Sequence, residues 1–189
     1  MKIFFVIPLF LAAALLSGCA TNRSGSTAPT TPSAAAAPQQ AAVAVPAASA
    51  KKLVLFLSGP ASSTQAKDWA SFKREWHDTF ADHAKAAGVA FSMPDGEPRA
   101  TGDVGTMLTV YVNDYRMVGI GSRIFLGVMT GNAYINARLA YGDLKTGKPF
   151  GTQNINTSSS AWDGVFGKMT PQQVDLIASG VFRDIQAAR

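Results

Sequence analysis

Few side chains in this 189-residue sequence are equipped for chemistry, and their spacing limits what they can do. His77 and His83 are its two histidines. Six residues apart on a helix, they point to different faces. A zinc site would need carboxylates such as Asp78 or Asp82 and further distant ligands, so solvated rim positions are the reading adopted and no metal is expected. Asp95, Glu97 and Asp103 fall in a turn-rich connector. Two carboxylates beside a cleft do glycosidase work, but no spacing here singles out a pair, and turn residues are commonly acidic. Ser158-Ser159-Ser160 has no neighbouring base and no G-x-S-x-G elbow. Gly119-x-Gly121 and Gly127-x-x-x-Gly131 lack the lysine and hydroxyl of a phosphate loop and the spacing of a dinucleotide fingerprint. They read as glycines that let strands bend or approach closely. No catalytic residue and no cofactor is therefore assigned. Trp162 and Phe166, in a Ser/Gly-rich loop, are candidate contact residues for a partner.

The one cysteine is Cys19. Met1-Lys2 forms a minimal positive start, and Ile3 to Leu16 is an apolar core of about fourteen residues, in the range of a secretory signal and too short to span a bilayer. Leu16-Ser17-Gly18-Cys19 resembles the lipobox of bacterial lipoproteins. The resemblance implies a signal peptide over residues 1–18 and acylation of Cys19, palmitate included, as the first residue of the mature chain. Each buried methylene contributes about 0.8 kcal/mol, and several chains make a practically permanent tether. Ala20 and Thr21 follow, with no aspartate directly after Cys19. In a Gram-negative host this implies the periplasmic face of the outer membrane, with the lipid bilayer as the first partner.

Residues 20–50 are Ala, Pro, Ser, Thr and Gln with almost no large apolar side chain. Such a composition buries too little surface to offset ordering entropy and reads as a disordered linker. Its roughly thirty residues span about 30 Å as a coil. The sequence carries a net charge of +5, from 17 Lys and Arg against 12 Asp and Glu. These charges are scattered and not interleaved with aromatics, so no nucleic-acid partner is expected.

Residues 51–189 have the length and pattern of a single domain. Leu53 to Leu57 is a continuous apolar run closed by Ser58-Gly59-Pro60, a buried strand. Ser62 and Gln65 have capping-box spacing, and the apolar stripe Trp69, Phe72, Trp76, Phe80, Ala84 and Ala87 predicts a helix ending at Gly88. Val89 to Met93 is a second strand. Strict alternation predicts a strand over 107–115, with Leu108, Val110 and Val112 on one face. Ile124 to Val128 is a further strand. In the next, over 132–141, Ala133, Ile135, Ala137, Leu139 and Tyr141 face one way, and Tyr134, Asn136 and Arg138 the other. Asp143-Leu144-Lys145-Thr146-Gly147-Lys148 has turn chemistry and leads into a polar strand near an edge, Phe150 to Thr157. The final helix opens at Thr170-Pro171-Gln172-Gln173, with threonine as N-cap and proline at the first position. The fold class is α+β, in the order β-α-β-β-β-β-β-α: a mainly antiparallel sheet with two helices packed on one face.

The run Gly121 to Ala133, the alternating strand after it, and Asp143 to Gly147-Lys148 resemble the Domain of Unknown Function family 4410, a group of bacterial and often lipidated envelope proteins. The family pattern is "G-x-R-x-x-x-G-x-G-x-G-x-A", then a strand, then "D-x-x-T-G-K". Val128, Met129 and Thr130 stand where its glycines are denser. The family has no assigned activity, so the resemblance implies a location rather than a reaction. The expectation is a non-catalytic lipoprotein that binds an envelope protein or polysaccharide through a sheet edge or the 158–168 loop. Two alternatives are a subunit of an outer-membrane export or pore assembly, with 117–135 as a membrane hairpin, and an envelope hydrolase.

Overall fold

The structure, a computed structural model, describes residues 42–118, 132–158 and 169–187. The chain divides into Met1–Ser33 and Ala34–Arg189, and every described residue belongs to the second unit. The expected signal peptide, Cys19 and its lipobox neighbours Leu16, Ser17 and Gly18, Trp162 and Phe166, the 124–128 strand and most of the 117–135 segment lie outside the described residues.

Strand β1 (Lys52–Ser58) is followed by a short helix α1 (Ala61–Thr64) and a long helix α2 (Trp69–Ala87). Then come β2 (Ala90–Ser92), β3 (Thr106–Arg116), β4 (Tyr134–Asp143), β5 (Pro149–Asn156) and α3 (Thr170–Gln186). The strands form one sheet in the order β2-β1-β3-β4-β5. β1 pairs in parallel with both β2 and β3, whereas β3–β4 and β4–β5 are antiparallel. The sheet is therefore mixed, not mainly antiparallel as the sequence suggested. The cause lies in two crossovers. Helix α2 carries the chain back to the start of β1, which makes β2 parallel to it. The stretch 93–105, which holds the turn-rich connector, is a second crossover that returns the chain to the same end for β3.

The inward faces follow the expected pattern. Leu53, Leu55, Leu108, Val110, Val112, Ile135, Ala137, Leu139 and Tyr141 pack in one core with Phe72, Trp76, Phe80 and Ala84 of α2 and Val174, Ile177, Ala178, Val181, Phe182 and Ile185 of α3. Both long helices thus lie on one face of the sheet. Each fully buried large apolar side chain contributes about 1.5–3 kcal/mol relative to exposure. Aromatic contacts order this layer: Trp76 stacks on Phe80 at 5.4 Å and Phe72 on Tyr115 at 4.1 Å between ring centres.

Three local expectations change. The single helix from Ser62 is two helices, because the chain breaks over 65–68. Pro60 is the N-cap of α1 and Asp68 that of α2, neither with a side-chain cap bond, so no capping box forms. Thr170 does not cap α3. Met169 holds the N-cap position, and the Thr170 hydroxyl accepts the Val118 N–H at 2.9 Å while the Thr170 N–H donates back to the Val118 carbonyl. The packed body also begins before residue 51: Val43 and Val45 are buried in the core, and Ser49 and Ala50 are buried beside them. Composition hid this strap because two valines among alanines and prolines leave no periodic pattern.

Gly88 ends α2 in the left-handed conformation at φ 62°, as a C-cap glycine does. Gly59 is required by space. A Cβ there would sit 2.5 Å from the Val112 carbonyl oxygen.

Candidate functional site

With both long helices on one face, the side chains of the opposite face are left for other purposes. At the β2–β1 end, the 93–105 crossover runs over this face and buries Val54, Phe56 and Leu144, with Met107 packed against them. A cleft of about 260 Å³ remains there, with Lys52, Val54, Phe56, Asp95, Glu97 and Arg99 among its walls. The rest of the face, carried by β3, β4 and β5, is polar and meets no helix among the described residues.

Register sets its geometry. Tyr111 stands opposite Arg138, and Arg138 opposite Asn154, one row across three strands. The next row is Asp114, Asn136 and Asn156, and the one beyond pairs Arg116 with Tyr134. Alternation along a strand places these rows on the side away from the core. A β-bulge between Val112 and Asp114 inserts one extra residue. It brings a second polar side chain to the same place: Asn113 Nδ2 donates to Asn136 Oδ1 at 3.0 Å. Tyr134 donates its hydroxyl to Asp114 Oδ2 at 2.8 Å, and Asp114 Oδ1 accepts the Tyr115 N–H at 2.8 Å. Asn156 Oδ1 accepts both the N–H and the hydroxyl of Ser158. These bonds fix side-chain directions before any ligand arrives.

Exposure separates this face from a core in waiting. Asn113, Asp114, Arg116, Asn136, Arg138, Thr152, Asn154 and Asn156 are all exposed, and Tyr111 is 43% exposed. Among the described residues no carboxylate lies within ion-pair distance of Arg138. The Asp114 carboxylate holds the Tyr134 phenol protonated above its ordinary range, first through the hydrogen bond and then through partial burial. The surface is thus a set of amides, two phenols, two guanidiniums and one carboxylate on a rigid sheet.

The sequence-selected chemical residues do not converge. His77 Nδ1 lies 2.9 Å from its neighbour Asp78, and His83 Nε2 lies 2.8 Å from Asp175, joining α2 to α3. Among the described residues no three His, Cys, Asp or Glu side chains cluster as metal ligands would. Asp95 is paired with Lys73, and Asp103 with Lys52 at 2.7 Å. Hydrogen bonds to these lysines hold both carboxyls below their usual range. That is opposite to what a general acid needs. No helix among the described residues is long and apolar enough to cross a membrane.

No protein-family model and no curated protein matches the sequence. Two crystal forms of a PelC dodecamer from Paraburkholderia phytofirmans are similar in structure. One, a leucine-to-methionine point variant, is 16% identical with a TM-score of 0.43, covering 80% of this chain and 97% of that one. The other is 15% identical with a TM-score of 0.44, covering 80% and 96%. A Helicobacter pylori protein described as a homolog of a neuraminyllactose-binding hemagglutinin is 8% identical with a TM-score of 0.34, covering 78% and 90%. At these identities and scores the likeness carries no function with it, and the reading rests on this chain's own residues.

Sequence reasoning found the pieces of the face without assembling them. It placed Tyr134, Asn136 and Arg138 on one side of a strand, and it marked 150–157 as polar. The missing step was the register that lines Arg138 up with Tyr111 and Asn154.

A second polar cluster is internal. Asp184, with a fully buried side chain, accepts the Val43 N–H at 3.2 Å and Gln153 Nε2 at 2.8 Å through Oδ2. Tyr141 donates to Gln153 Oε1 at 3.1 Å. Asp184 Oδ1 has no hydrogen-bond partner among the described residues, and the Arg183 guanidinium lies 3.7 Å away. Burial, then the Asp184 charge, keeps the Tyr141 phenol protonated far above its normal range. This network pins the 43–45 strap to α3 and β5; no part of it is open to a substrate.

Proposed function

We propose that this chain is a non-catalytic binding protein of the bacterial cell envelope. In this reading it is tethered through acylated Cys19 to the periplasmic face of the outer membrane, and it holds another envelope component against the polar β3–β5 face of its sheet. The resemblance to the Domain of Unknown Function family 4410 belongs to the same proposal. The observation that carries it is that face: three rows of amides, phenols, guanidiniums and a carboxylate, two of the rows ordered by side-chain hydrogen bonds and all backed by a packed core. A sheet face that merely met solvent would need none of this mutual ordering. The lipobox-like sequence and the Pro/Ala spacer supply the tether and the reach.

The test has two parts. Labelled palmitate should enter the wild-type protein and not Cys19→Ser, which should leave the membrane fraction. The anchored protein, extracted gently, should co-elute with its partner in gel filtration. The triple variant Tyr111→Ala, Asn136→Ala, Asn154→Ala should elute alone with its circular dichroism unchanged. Unaltered co-elution of the triple variant would reject the face as the binding surface.

A further inference from the structure

We infer that the ligand of the polar β3–β5 face is a carboxylated polysaccharide, with Arg138 as the carboxylate receptor and the flanking tyrosine and asparagines as sugar contacts. This deepens the proposed function and depends on it. Three observations lead to it.

The first is what the face lacks. Protein–protein interfaces are built around an apolar, aromatic-rich core. Among the described residues, the rows of β3, β4 and β5 beyond the crossover offer exposed Tyr111, half-buried Tyr134 and Ala140, and Pro149 at the start of β5, but no exposed Val, Leu, Ile, Met or Phe. A protein partner would find few apolar anchor contacts among these rows. The second is what the face repeats. Asn113, Asn136, Asn154 and Asn156 line up four amides, with Asn136 Oδ1 already accepting from Asn113 and Asn156 Oδ1 from Ser158; an amide carries donor and acceptor on one short arm. Neighbouring hydroxyls on a sugar ring likewise donate and accept, and the Tyr111 ring supplies a flat surface for the C–H side of a pyranose. The third is charge. Arg138 stands between Tyr111 and Asn154 with no carboxylate in ion-pair range among the described residues. A guanidinium takes a carboxylate through two parallel bonds. The face otherwise holds Arg116 and Asp114, so its formal charge is small and suits one singly charged carboxylate at Arg138 rather than a doubly charged phosphate.

The test uses the full-length protein on lipid vesicles, with soluble alginate, polygalacturonate, dextran and poly-glutamate as probes, at about 150 mM salt where long-range attraction is screened. The two uronate polymers should bind, and dextran and poly-glutamate should bind at least ten-fold more weakly. Arg138→Gln should weaken uronate binding ten-fold or more, Arg138→Lys should keep part of it, and Tyr111→Ala should cost at least three-fold. All these side chains are exposed, so unchanged thermal melting should accompany every variant. Equal binding of poly-glutamate would show attraction to charge alone and overturn the inference, as would full binding by Arg138→Gln. Equal binding of dextran would overturn the carboxylate while leaving the face as a binding surface. If no polymer binds but the triple variant still loses its partner in gel filtration, this inference fails and the proposed function stands.

Discussion

Asp184 gives the sharpest energetic prediction, because an alanine and an asparagine there act on the same bonds in different ways. Its Oδ2 satisfies two donors, the Val43 N–H and Gln153 Nε2. Asp184→Ala strands both inside the protein, at about 1–3 kcal/mol for each unsatisfied group. Against that, the variant removes a buried charge whose second oxygen has no hydrogen-bond partner among the described residues. The net expectation is a loss of about 2–4 kcal/mol. In Asp184→Asn, the amide oxygen can take the place of Oδ2 and keep both donors, while the NH₂ takes the place of the unpartnered oxygen. Replacing a buried charge by a neutral amide of the same shape offsets the unpaired NH₂, and the change should stay within about 1 kcal/mol of wild type. Urea unfolding followed by the fluorescence of Trp76, which is fully buried, reads both variants. A neutral alanine variant, or an asparagine variant as unstable as alanine, would refute the argument that Oδ2 holds the strap to the body.

Other outcomes follow from single contacts. Gly59→Ala should lower stability by about 1–3 kcal/mol in the same assay, since its Cβ would fall 2.5 Å from a backbone oxygen that cannot swing away. Alkaline titration followed by phenolate absorbance should show Tyr115, Tyr134 and Tyr141 resisting ionisation beyond the usual range. Burial raises Tyr115 and Tyr141 foremost, and the bond to Asp114 raises Tyr134. Because these folded-state values lie above the unfolded value near 10, their stabilisation is complete below about pH 10 and is lost as pH rises through the folded values. Asp114→Asn should bring Tyr134 back toward its ordinary range while leaving Tyr141 as it was.

The sequence told most where one face of an element meets the core. Leu108, Val110 and Val112, the inward set of β4, and the stripe from Phe72 to Ala84 follow from periodicity alone, because burial imposes period 2 on a strand and period 3.6 on a helix. The Asp143–Lys148 turn was also legible. Asp143 accepts the Lys145 N–H and the Thr146 hydroxyl, and Gly147 sits at φ 77°, so each motif residue has a local task. Strand direction was not legible. Whether the stretch 93–105 joins neighbours or crosses the sheet depends on tertiary burial of Val54, Phe56 and Leu144, which no local pattern encodes. Thr170 misled for a related reason: a threonine before proline is chemically an N-cap, yet its hydroxyl is taken by the distant Val118 N–H. The candidate site was half visible. Alternation exposed Tyr134, Asn136 and Arg138, while the row that joins Arg138 to Tyr111 and Asn154 exists only in the register of three strands.

Site-specific photocrosslinking in living cells bears most directly on the role given to the polar β3–β5 face. A benzophenone side chain at position 111 lies among the polar rows, whereas one at position 85 lies on the solvent side of α2, behind the sheet. The account predicts a discrete high-mass adduct from position 111 that disappears with Arg138→Gln, and none from position 85. An adduct formed from position 85 alone would contradict it.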